Sequence, residues 1–254
     1  MLAELAAVDV FRFLLVFTRI GAAVMLFPGI GGTMVTARAR LTLALAVSFV
    51  VLPVVASTLP AMPRSPFALG LLLLSETAIG VFMGVMVQML MAALNVAGSY
   101  IGYKAGLTNA FVSDPVTADQ STLIPRFLSN LAVVLIFATG LHELLFRAVV
   151  DSYALFVPGG PLPFGDMSES VARALATSFR IGLQLAAPVM VFGLVFYGGM
   201  GVLARLMPQM PVFFVALPIQ VLLGLSILMV SLPLIMLWFL RHVEDGLMPF
   251  VRGL

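Results

Sequence analysis

The chain contains no cysteine, one tryptophan and two histidines, and only 9% of its 254 residues are charged. Without cysteine there is no disulfide, no thiolate metal site and no cysteine nucleophile, and the compartment is left unspecified. The two histidines, His142 and His242, stand near opposite helix ends with no metal-ligand spacing around them. His142-Glu143 lacks the second histidine of a zinc-hydrolase helix, so both are expected at interfaces and no metal is expected. No phosphate-cradling loop ending in Lys-Ser/Thr occurs, and no serine sits in a nucleophile elbow. Neither catalytic residues nor a cofactor are expected. The formal net charge is +2 with no cluster of Lys and Arg, which excludes a nucleic-acid footprint. A soluble domain is about 25% charged and about 45–50% apolar. This chain is 62% hydrophobic with a mean hydropathy of +1.17, too far from that composition for a water-facing globule.

Apolar runs are plentiful instead. About six exceed the length of roughly 18–20 residues that a bilayer-crossing helix needs. They run near Val8–Phe27, Leu41–Leu59, Phe67–Tyr100, Leu123–Gly140, Met167–Leu206 and Val212–His242. The fourth is continued or followed by an amphipathic piece to Phe156. The expected fold is therefore all-α: a polytopic membrane protein of long, kinked helices, bound by lipid. The first basic residue, Arg12, follows Glu4 and Asp9. That is not the positive start of a signal peptide, so the first segment is expected to remain as a helix. Pro28-Gly29 and Gly31-Gly32 stop it. The clearest linker is Pro158-Gly159-Gly160-Pro161-Leu162-Pro163, which divides residues 1–163 from residues 164–254. Beyond it, two long segments flank Met207-Pro208-Gln209-Met210-Pro211, so the chain ends in a helical hairpin.

Two stripes indicate where helices meet. At about 100° per residue, Glu76, Gly80, Gly84, Gln88, Asn95 and Gly98 occupy an arc of about 120° on the third helix. In lipid such a face packs closely on a neighbour or lines a polar passage. Glu76 needs a partner, and Arg12 and Arg19, seven apart on one face, are the candidates. On the fifth helix Glu169, Arg173, Thr177, Arg180 and Gln184 form a narrow polar stripe. Glu169 and Arg173 can pair at i, i+4. Arg180 has no such neighbour and is either an inter-subunit contact or a snorkelling side chain. Prolines inside helices (Pro53, Pro188, Pro218, Pro233) suit curved walls.

Topology is not legible in charge. Alternating helices place Arg12, Arg64, Arg147, Arg173, Arg241 and Arg252 on one side. Arg38, Arg40, Lys104, Arg126 and Arg205 fall on the other, so six against five gives the positive-inside rule nothing to decide.

The punctuation of the chain resembles that of the FliR family of flagellar biosynthesis proteins. Arg19-Ile20-Gly21 through Phe27-Pro28-Gly29-Ile30-Gly31-Gly32 and Ala37-Arg38-Ala39-Arg40 resemble its start. Gly106-Leu107 to Asp114-Pro115 with Gln120, and Gly140-Leu141-His142, are similar to its centre. Ala204-Arg205-Leu206-Met207-Pro208-Gln209-Met210-Pro211-Val212-Phe213, then Pro218-Ile219-Gln220, resemble its hairpin tip. Pro211 stands where the family commonly has Asn, and Gln220 where it often has Lys.

The resemblance implies a non-enzymatic subunit of the type III protein export gate in the bacterial inner membrane and flagellar basal body. It also implies FliP and FliQ homologues as ring partners, an adjacent FlhB homologue, and unfolded proteins as cargo. Residues 1–163 would correspond to a FliP-type subunit and residues 164–254 to a FliQ-type hairpin. Similar proteins are held, once assembled, largely above the membrane plane. The family's channel plug corresponds here to Gly106, Leu107, Thr108, Asn109, Ala110, Phe111, Val112, Ser113, Asp114 and Pro115. Phe111 and Val112 offer an apolar tip and Asp114-Pro115 a turn. Virulence-type injectisomes share the pattern and form one alternative. A small-solute secondary transporter forms another, but it would show inverted repeats, and the two parts of this chain differ in length and pattern.

Overall fold

A computed structural model of the chain describes residues 2–32, 35–107, 123–209 and 212–251. Among them there are seven α-helices and no strand. We number the helices α1 (Leu2–Val24), α2 (Ala37–Val55), α3 (Pro66–Lys104), α4 (Leu123–Ala138), α5 (Leu141–Leu155), α6 (Phe164–Leu206) and α7 (Val212–Leu247). Short 3-10 turns follow α2 at Ala56–Thr58 and α7 at Met248–Phe250. The fourth segment ends where expected, at Gly140, and of the two alternatives for what comes next the amphipathic piece follows as a separate helix. Gly140 adopts φ +79°, a left-handed conformation open to glycine, and the axis bends by 78° between α4 and α5.

Four helices are long and apolar enough to cross a membrane: α2 with its 3-10 extension, α3, α6, and α7 from Ala216 onward. The bent α4–α5 pair would make a fifth. In the apolar window of α3, 61% of residues are buried, against 22% in each of the other three. Of the four, α3 is therefore the most buried, while α2, α6 and α7 leave most of their apolar residues uncovered.

Contacts divide the chain into two compact units. The first comprises residues 1–90, 136–175 and 243–254; the second comprises residues 91–135 and 176–242. In the first, Phe11 and Leu15 of α1 pack with Leu72 of α3, with Leu59, Leu69 and Leu73 around them. Phe82 meets the rings of Phe156 and Phe250 edge-on. Thr36 caps α2 by accepting from the Ala39 amide at 3.3 Å.

In the second unit, the last part of α3 is approached by three helices at positions with no side chain to obstruct them. Gly98 and Gly102 face Pro125 and Ile124 of α4, Gly182 of α6 lies on the Ala93 carbonyl, and Gly224 of α7 lies on Ala105. The hairpin is antiparallel, because Ser178 pairs with His242 and Tyr197 with Gln220. Pro53, Pro188, Pro218 and Pro233 all lie inside helices, and each removes one backbone donor.

Candidate functional site

The small-and-polar stripe of α3 is a packing face in both units. In the first it meets α1 and the turn that follows. Glu76 and Arg19 are both fully buried. Arg19 Nε donates to Glu76 Oε2 at 2.6 Å and Nη2 to Oε1 at 3.0 Å, a two-pronged pair. Two further donors are used: Nη1 reaches Ser152 Oγ at 3.3 Å and Nη2 the Phe156 carbonyl at 2.9 Å. Tyr153 lies under the guanidinium, 3.9 Å from Cζ to the ring centroid. Of the two candidate partners of Glu76, the structure selects Arg19, and Arg12 stands half-buried.

One turn further along α3, a Cβ at Gly80 would collide with the Arg19 carbonyl oxygen and the Ala22 methyl. A Cβ at Gly84 would collide with Leu26. Gln88 is exposed but donates to the Leu26 carbonyl at 3.2 Å. In the second unit Gly98 continues the face, and exposed Asn95 accepts from Ser129 at 3.5 Å, a weak contact.

The end of α3 holds a cluster that periodicity did not single out. Gln220, 2% exposed, donates its amide to the Lys104 carbonyl at 3.0 Å and to the Tyr197 hydroxyl at 2.9 Å. It thereby satisfies a carbonyl in the last turn of the helix. Gly106 turns at φ +76° with its Cα against the Gln220 carboxamide. Lys104 also places its ammonium 5.7 Å from the Tyr197 ring centroid. A usable signal did exist: an amide alone in a long charge-free apolar run must find a partner.

On α6, Glu169 and Arg173 pair at 3.3 Å, both well exposed. Arg180 and Gln184 are exposed and make no hydrogen bond or ion pair among the described residues, while Thr177 is half-buried. Arg205, Pro208 and Gln209 are exposed at the hairpin tip. Of the segment read as a plug, Gly106 is buried and Leu107 half-buried. Residues 108–115 and Pro211 lie outside the described residues, as does the side chain of Phe213. Among the described residues no group of His, Cys, Asp or Glu could hold a metal ion.

Long apolar helices, a buried ion pair inside the first unit and exposed polar residues on α6 are features of a membrane protein. Comparison with known proteins agrees. The family described as "Bacterial export proteins, family 1" matches residues 10–246. The chain is 39% identical to the flagellar biosynthetic protein FliR of Caulobacter vibrioides, over 94% of this chain and 95% of that one. It is 31% identical to the protein of the same name in Bacillus subtilis, over 90% and 89%. The one in Aquifex aeolicus is 30% identical, over 91% and 89%.

Proposed function

The chain belongs to bacterial export proteins, family 1, and on that premise we propose that it builds part of the wall of an export channel and catalyses no reaction. It is a multi-pass inner-membrane protein and a subunit of the flagellar type III export gate. The observation that carries this reading is likeness over nearly the whole chain to proteins named for flagellar biosynthesis. Its partners are FliP- and FliQ-type subunits, with an FlhB-type neighbour and unfolded flagellar proteins in transit. Residues 1–163 act as the FliP-like part and residues 164–254 as the FliQ-like hairpin.

Residues 106–115 plug the resting channel, with Phe111 as the seal. The described end of α3 supports this: Gly106 ends the helix at a left-handed turn, and Gln220 fixes the place from which the chain departs. Deleting residues 106–115 should make cells leak ions and small solutes. Unchanged permeability sinks the plug. A gene deletion should abolish secretion of filament proteins, and a deletion strain with normal secretion and motility overturns the export reading itself.

A further inference from the structure

We propose that the groove between the start of α3 and the linker before α6 binds an anionic membrane phospholipid, with an acyl chain along the groove and the phosphate at Arg64.

The groove holds about 720 Å³ and lies wholly within the first compact unit. Among its walls are Leu72 and Leu74 of α3, Pro60 and Pro63 of the loop before α3, Leu162 of the linker, and Phe164 at the start of α6. Leu74 and Phe164 are each 67% exposed, so the groove is open to its surroundings. Among the described residues its one polar side chain is Ser75, whose hydroxyl already donates to the Leu72 carbonyl at 2.8 Å. A polar solute finds no free side-chain partner there. A helix about 10 Å across would fill such a volume in under two turns, whereas a flexible hydrocarbon chain can lie along it.

The groove is also pre-formed. Pro60, Pro63 and Pro66 on one side and Pro158, Pro161 and Pro163 on the other restrict the backbone of both loops. Gly159 turns at φ +83°, and a Cβ there would stand in ordinary contact with Leu72 and Pro60, 3.7 and 3.8 Å away. A site built in advance costs a flexible ligand less to occupy. Charge then selects the occupant. No lining residue is charged. Arg64, which follows Pro63 of the wall, is exposed with no hydrogen bond or ion pair among the described residues. A guanidinium at the edge of apolar surface suits a phosphate, and a phospholipid joins phosphate to hydrocarbon in one molecule.

The test reads indole fluorescence of the full-length chain in phosphatidylcholine vesicles that contain brominated phosphatidylglycerol or brominated phosphatidylcholine, whose bromines quench nearby indoles. Trp238, the one native indole, reports lipid at α7, and the double change Trp238→Phe with Phe164→Trp moves the indole to the groove. At position 164 brominated phosphatidylglycerol should quench at about fivefold lower content than brominated phosphatidylcholine, the preference of one arginine for an anionic headgroup. Arg64→Gln should remove that preference. Ala68→Phe, which fills the groove from an exposed position, should reduce quenching by both lipids. Equal quenching by the two lipids at position 164 overturns the proposal, as does a preference that survives Arg64→Gln or is matched at Trp238. Protection of the groove indole by co-reconstituted FliP- and FliQ-type subunits overturns it too, because the groove would then belong to a protein. If Ala68→Phe fails to fold, Arg64→Gln decides.

Discussion

Arg19 and Glu76 face each other at 2.6 Å inside the first compact unit, with no solvent exposure on either side chain. The pair joins α1 to α3. Removing one partner strands a charge where no water reaches it, a loss of about 3–5 kcal/mol in comparable buried pairs. Glu76→Ala and Arg19→Ala should each deplete the chain from the membrane, measured by immunoblot and by thermal aggregation in detergent. The double change Arg19→Met with Glu76→Leu should recover much of that loss. A double variant as depleted as the single ones would show that the charge itself is required.

Two glycines on α3 should respond in opposite directions. Gly80→Ala drives a methyl into the Arg19 carbonyl and Ala22, and overpacking of this kind costs about 1–3 kcal/mol. Gly70→Ala meets nothing within 4 Å and gains up to about 1 kcal/mol of helix propensity. Melting of the two purified variants side by side checks both signs.

Gln220→Leu leaves the Lys104 carbonyl and the Tyr197 hydroxyl without the amide that both accept from. An unmet buried polar group costs about 1–3 kcal/mol. Secretion should fall clearly in Gln220→Leu and less in Gln220→Lys, whose ammonium can still donate to the carbonyl. The readout is filament protein in the culture medium; equal loss in both variants would assign the effect to shape and not to hydrogen bonding.

The exposed pair Glu169–Arg173 is the counter-case to Arg19–Glu76. With 69% and 64% of the Arg173 and Glu169 side chains exposed, its worth is about 0.2–0.5 kcal/mol. Glu169→Ala should leave melting almost unmoved in the detergent-solubilised protein.

The α3 face was legible because small and polar residues recur with the helical period, and the same spacing continues from Glu76 to Gly98. The partner of Glu76 was legible only to within a choice of two, since Arg12 and Arg19 share one face of α1. Nothing in that periodicity could point to Ser152 or Phe156, because contacts between helices far apart in sequence leave no mark on either helix. The same holds for Ser178 with His242: the histidine was expected at an interface, but nothing pointed to the serine. The end of the fourth helix at Gly140 was legible, but whether the next piece continued or turned away was not, because an apolar run reads alike whether it continues or folds back. Gln220 stood out only as a departure from a family pattern, and its two hydrogen bonds explain why an amide serves at that place.

Arg19 touches α3 twice, through its guanidinium at Glu76 and through its carbonyl at Gly80. A slip of one helical turn, about 5.4 Å, would bring that carbonyl to Glu76 or Gly84 and leave the ion pair unmatched. The register of α1 on α3 is thus set by shape and charge together: the carbonyl could also lie on Gly84, but only the native register matches the ion pair as well. Mechanically the two helices behave as one strut, with no intermediate notch into which they could ratchet under load.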